Sequence, residues 1–179
     1  MFSLNVPLPP AVGRLADDLQ PKLSGFDRVR DRHTLVCKRF GVADVTADAG
    51  DPPPRPAAHD RLRDRLRPLL ASVDPFAVAV VGIDAFEAPA SGSGPVVYLD
   101  VESDALVRLH RRLCADYGTI EGVEGPAYVP HVTLARGGDP AAVSRLVDAG
   151  DEFGPVRWRV HALDLYDAEF REVAATLEL

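Results

Sequence analysis

The strongest constraint on the fold is an order of periodicities: short stretches of strand character alternate with helical ones, and the whole order runs strand-helix-strand, helix-strand-strand, helix-strand, helix-strand-strand. Phe2 to Val6 alternates and is closed by Pro7, Pro9 and Pro10, so it reads as a strand leading into a helix from about Pro10 to Lys22, with Val12, Leu15, Ala16 and Leu19 at helical spacing. Phe26 to Phe40 reads as extended and is stopped by Gly41. Ala57 to Val73 sets Leu62, Leu66, Leu69 and Leu70 on one side of a helix, with Arg61, Arg63, Arg65 and Arg67 mostly on its solvated face. Pro75 to Phe86 and Pro95 to Val101 form a hairpin about the turn Ser91-Gly92-Ser93-Gly94. Ser103 caps a helix ending near Gly118, Tyr128 to Ala135 is a strand, and Asp139 caps a short helix. Two closing strands cover Val156 to Tyr166 and Glu172 to Leu179.

This order predicts an α+β, two-lobed fold with mainly antiparallel sheets, helices on the outer faces and a central cleft. All 179 residues are expected to form one such domain. Ala43 to Pro56, dominated by Ala, Asp, Gly and Pro, has no periodic face to bury and reads as a flexible loop.

Composition narrows the possible partners. A net charge of −7, from 27 acids against 20 bases, argues against a broad basic surface for duplex nucleic acid but allows a local phosphate pocket. No apolar run approaches the roughly 20 residues that span a bilayer, and the N-terminus lacks a secretory pattern, so a cytoplasmic monomer is expected. Cys37 and Cys114 are then expected as reduced thiols. There is no His-Glu-x-x-His, no paired Cys-x-x-Cys and no glycine loop followed by lysine, so neither metal nor nucleotide cofactor is expected.

The chemistry concentrates at Pro130-His131-Val132-Thr133-Leu134-Ala135-Arg136. On a strand, His131 and Thr133 share one face while Val132 and Leu134 take the other. An imidazole can give or take a proton near neutral pH, and a hydroxyl two positions on can donate to a phosphate oxygen. Arg136 would reach the same phosphate only if the alternation bends after Leu134. An imperfect second copy lies at Arg32-His33-Thr34-Leu35, where the hydroxyl residue follows His33 directly. Two registers are therefore open: Arg32 and Thr34 face the cleft together, or a bulge turns both His33 and Thr34 inward. The second register is the one favoured, with His33 and His131 as a catalytic pair. His59, His110 and His161 lack such a neighbour and are assigned to packing or surface.

A histidine-bearing strand in each half, Phe40-Gly41 after the first, Pro130 before the second histidine and a closing pair of strands together resemble the two-histidine phosphoesterases of the 2'-5' RNA ligase / RNA 2',3'-cyclic phosphodiesterase family. The resemblance implies metal-independent hydrolysis of a 2',3'-cyclic phosphate, on an RNA end or a small cyclic nucleotide, to a 2'-phosphate. The joining direction of the same chemistry would account for 2'-5' ligation. It assigns catalysis to His33 and His131, and substrate binding to Thr34, Thr133 and Arg136. The competing expectation is a non-catalytic module that binds RNA ends or nucleotides through the same cleft, its first motif degenerate.

Overall fold

The computed structural model describes residues 2–41, 44–45, 54–90 and 92–179. Among the described residues, nine strands and four α-helices follow the expected alternation. In chain order they are β1 (Phe2–Val6), α1 (Pro10–Leu19), β2 (Arg28–Val29), β3 (Leu35–Phe40), α2 (Arg55–Leu70), β4 (Phe76–Phe86), β5 (Val96–Glu102), α3 (Asp104–Tyr117), β6 (His131–Arg136), α4 (Pro140–Ala149), β7 (Val156–Val160), β8 (Ala162–Asp167) and β9 (Glu172–Glu178). Most of the 43–56 stretch, and Ser91 of the expected turn, lie outside the described residues; α2 already begins at Arg55. Among the described residues no helix is long and apolar enough to cross a membrane.

Local chemistry explains the boundaries. Ser103 Oγ accepts from Leu106 N–H and starts α3, and Gly118 ends it at φ 74°, where a side chain would be strained. Asp139 caps α4 in the same way, its carboxylate accepting from Ala142 N–H. The helix expected to reach Lys22 stops at Leu19 and continues as a 3₁₀ turn over Gln20–Leu23, because Pro21 has no N–H to give. Cys37 and Cys114 are free thiols.

All the strand pairs are antiparallel and run in one sheet, ordered β7-β4-β5-β6-β3-β1-β8-β9, with β2 added beside β6. The single closing strand expected over Val156 to Tyr166 is two strands separated by His161: β7 pairs with β4 and β8 with β1, at opposite ends of the sheet. Strands one residue apart in sequence can occupy opposite ends only if the sheet curls, so the layer is a trough rather than a plane.

The two lobes meet where β3 pairs with β6, and that seam is thin. Leu35 opposite Val132 is its one Cα partner pair, whereas β1–β3 and β5–β6 have five each. Val132, Leu134, Leu35 and Cys37 are fully buried on the helix side, within a hydrophobic cluster that also takes Leu62, Leu66 and Leu70 of α2 and Leu106 and Leu113 of α3. The opposite face of β3 and β6 is left to the cleft.

Candidate functional site

The site follows from how β3 and β6 present alternate residues. On β6, His131 and Thr133 are half-buried on the cleft side while Val132 and Leu134 are buried behind. The register against β5 then slips: Tyr98 faces Thr133 but Val97 faces Ala135, leaving Leu134 unmatched. This bulge puts Leu134 and Ala135 both inward and returns Arg136 to the cleft, the bend that the sequence required. On β3 an equivalent slip opposite Leu4 and Asn5 skips Cys37 and brings Arg39 to the cleft after Val36. A bulge was expected in this segment, but upstream, beside His33. Ahead of β3, residues 31–32 form a bend, and Arg30, Asp31, Arg32 and Thr34 all line the cleft with Val36.

A cleft of about 300 Å³ results. His131, Thr133 and Arg136 line it from β6; Arg32, Thr34, Val36 and Arg39 line it from β3 and the segment before it. Arg30, Asp31, Val123, Tyr128, Tyr166, Ala168 and Arg171 complete its walls, Asp31 being the one acid among them. His33 is not among the lining residues. Its Nδ1 lies 3.3 Å from the main-chain carbonyl of Thr133, and since a carbonyl only accepts, the ring donates there. His33 thus spans the β3–β6 seam. The expected meeting of His33 and His131 in the cleft does not occur: the His33 ring is turned to the seam by its bond to Thr133, and Arg32 lines the cleft beside it. Arg32 is held by a 2.9 Å bond from Nη1 to the carbonyl of Arg171.

His131 is built for one tautomer. Nδ1–H donates to the carbonyl of Val129 at 2.7 Å, which leaves the lone pair on Nε2. Phe86 meets the imidazole edge to face at 5.2 Å between centroids, and Tyr98 lies at 5.3 Å, itself stacked on Phe86 at 4.3 Å. Burial lowers the pKa of His131 from its ordinary value; the bond to Val129 opposes this and the charges of Arg39 and Arg136 add to it. The ring is therefore held neutral near pH 7.

Behind the cleft lies a buried polar network. Lys38 Nζ and Glu124 Oε2 are 2.7 Å apart, with side-chain exposures of 2% and 0%. Glu124 also accepts from Arg39 N–H at 2.8 Å and Ile120 N–H at 3.1 Å. Burial alone would raise its pKa, but these three partners outweigh it and hold the carboxyl below its usual value. His110 is fully buried: Nδ1–H donates to the Cys37 carbonyl at 2.7 Å, Nε2 accepts from Gly125 N–H at 2.8 Å, and the ring stacks on Tyr128 at 3.7 Å. His110 is a packing histidine, as expected. The network fastens the segment 120–128 to β3 and so places Tyr128, whose hydroxyl donates to the Val36 carbonyl at 2.9 Å.

A second, more apolar recess adjoins the cleft and shares Arg39, Val123, His131 and Arg136 with it. Phe86, Pro89, Ile120 and Val129 line it. Sequence reasoning missed this recess and the cleft arginines at 30, 39 and 171. The arginine at 30 was legible in the alternation Arg28, Arg30, Arg32, Thr34, but Arg39 depends on a bulge and Arg171 on a distant turn.

The model of the 2'-5' RNA ligase superfamily matches residues 45–170, a span that includes His131 and begins after Arg32–Thr34. The fold is similar to that of TT0787 of Thermus thermophilus, with 22% identity, a TM-score of 0.63, and coverage of 99% of this chain and 97% of that one. It is also similar to E. coli LigT complexed with 3'-AMP, with 17% identity, a TM-score of 0.53, and coverage of 99% and 94%. No curated protein matches the chain.

Proposed function

Because the chain belongs to the 2'-5' RNA ligase superfamily, we propose that its cleft binds the 2',3'-cyclic phosphate of an RNA end or small nucleotide and hydrolyses it to a 2'-phosphate without metal. One observation carries this reading: in a protein of net charge −7, five arginines against one acid, Asp31, line a single cleft together with two threonines and a neutral imidazole. Such a wall focuses positive potential and attracts a phosphate. It offers guanidinium, hydroxyl and imidazole groups, a donor set that favours an anion over a metal cation. The adjoining apolar recess is suited to the nucleoside attached to that phosphate. The 3'-AMP bound to E. coli LigT fits this substrate class.

With its lone pair on Nε2, His131 acts as general base. It takes a proton from water as the oxygen attacks phosphorus, and the bond to the 3'-oxygen breaks. Arg32 stands where the resemblance implies a second imidazole. A guanidinium does not release its proton, so it stabilises the departing oxygen by charge while the proton comes from solvent. Thr34 and Thr133 donate to the equatorial phosphate oxygens. With a 5'-hydroxyl as nucleophile in place of water, the same step would join two ends through a 2'-5' linkage.

One base without an acid partner fixes the pH dependence. A lowered histidine pKa means that the active, neutral form prevails above it and is lost as pH falls through it. The rate should therefore rise along a single limb with its midpoint below the ordinary histidine value of about 6.5 and then level off. Steady-state rates between pH 4.5 and 9 check this, and a bell with a second, descending limb near neutrality would require another working imidazole.

Arg32→Ala and His33→Ala separate the two registers. Loss of a charged hydrogen bond to phosphate costs about 1.5–3 kcal/mol, so Arg32→Ala should lower kcat/KM by about 10- to 150-fold. His33→Ala should leave kcat/KM within about threefold and lower unfolding stability by about 0.5–1.5 kcal/mol, the value of one hydrogen bond. The reverse pattern would return His33 to the site.

A second reading, phosphate binding without turnover, is favoured by the same Arg32 in place of an acid–base group. It predicts tight binding of 2'- or 3'-nucleotides and no hydrolysis of the cyclic form by the wild-type protein.

A further inference from the structure

The arginines of this face extend past the cleft. Arg28 and Arg136 are Cα partners across the antiparallel pair β2–β6, two like charges directly opposite one another. Arg30 follows on the same alternation, and its N–H donates to the Leu134 carbonyl at 2.8 Å, which continues the pairing beyond β2. Arg28, Arg30 and Arg136 border an outer recess, with Gly92 and Asp31 at its rim. Arg28 Nη2 donates to Ser93 Oγ at 3.1 Å, and a Cβ at Gly92 would lie 3.1 Å from Arg136 Nη1, so the hairpin turn lies against both guanidiniums. The carboxylate of Asp31 leans the other way, 3.9 Å from Arg171. Burial and then the charges of Arg30 and Arg28 depress the pKa of Arg136, as crowding of like charges requires. Arg30 and Arg136 line both the cleft and this recess.

We propose that Arg28, Arg30 and Arg136 form a second phosphate-binding site, engaged by the internucleotide phosphodiester that precedes the terminal phosphate held in the cleft. Along β6, with the bulge between them, Thr133 and Arg136 stand opposite Tyr98 and Val96, two positions apart on β5 and so about 7 Å at the rise of a strand, the scale of one nucleotide step. Two guanidiniums shared between neighbouring sites bind successive phosphates more readily than one isolated ion. The ligand is thus an RNA strand of at least two phosphates. The inference rests on the reading of the cleft as the terminal-phosphate site.

The test compares a 2',3'-cyclic mononucleotide with a trinucleotide ending in the same cyclic nucleotide, for the wild-type protein, Arg28→Ala and Arg28→Lys. The wild type should show a KM at least tenfold lower for the trinucleotide. Arg28→Ala should remove most of that advantage, leave mononucleotide kinetics unchanged, and reduce the slope of log affinity against log salt for the trinucleotide by about 0.7, the value of one phosphate contact on a single strand. Arg28→Lys should recover part of it. Equal wild-type KM values for the two substrates, or an Arg28→Ala effect of the same size on both, would overturn the second site. If the wild type hydrolyses neither, the catalytic reading fails instead. Binding of a fluorescent 3'-phosphorylated trinucleotide then decides: at least tenfold weakening by Arg28→Ala supports the second site, and no weakening overturns it.

Discussion

His131→Ala should lower the rate of cyclic-phosphate hydrolysis by about 100- to 10,000-fold, the contribution of a positioned proton-transfer group. The effect should fall on kcat rather than on KM, because five arginines and two threonines remain to hold the ground-state phosphate. The imidazole is positioned by three neighbours. Val129 fixes the tautomer, and Phe86 and Tyr98 fix the ring plane. His131→Asn can reproduce the donor to Val129 but has no basic nitrogen, so it should be as inactive as alanine while retaining nucleotide affinity. Hydrolysis of 2',3'-cyclic nucleotides in the presence of a chelator, alongside binding of a 3'-nucleotide, measures both quantities. Unchanged turnover in His131→Ala would remove the base from this residue.

Glu124→Gln should destabilise the fold by about 3–5 kcal/mol, because it leaves the ammonium of Lys38 buried without a counter-charge. Both groups are almost wholly sequestered, and the amide, with a single acceptor oxygen, can keep only one of the bonds that Arg39 N–H makes to Oε1 and Ile120 N–H to Oε2, and loses the charge. Lys38→Met with Glu124→Leu, which removes both charges, should recover much of the loss. Denaturant unfolding of the three variants checks this. The same pair sets an acid limit on stability. The folded-state pKa of Glu124 is depressed, so its stabilisation is complete above the unfolded carboxyl pKa and is lost as pH falls through the lower folded value. Activity should fail together with the fold, because the segment that Glu124 anchors carries Tyr128 into the cleft wall.

The fold was legible wherever a local signal fixed an element. The Ser103 and Asp139 caps, the β4–β5 hairpin and the β6 alternation all appear as their residues dictate. The break at His161 was not legible, because Val156 to Tyr166 is continuously extended and its division depends on two distant partners, β4 and β1. At the site, the His-x-Thr spacing was enough to place His131 and Thr133. The arrangement around residues 32–34 was harder: the bulge was expected at His33 and Thr34, and pairing with β1 sets it at Cys37 instead. Bulge position is a property of the partner strand, and it determines which charge enters the cleft. Lys38, next to the bulge, is buried for the same reason.

The narrow join between β3 and β6 bears on more than topology. A phosphate gripped by Thr34 on one side and Thr133 on the other would act as a stitch across the weakest line of the sheet, where His33 already contributes one bond. Recognition and cohesion would then share the same contacts, and an occupied protein would resist parting of its halves by whatever free energy the ligand gives.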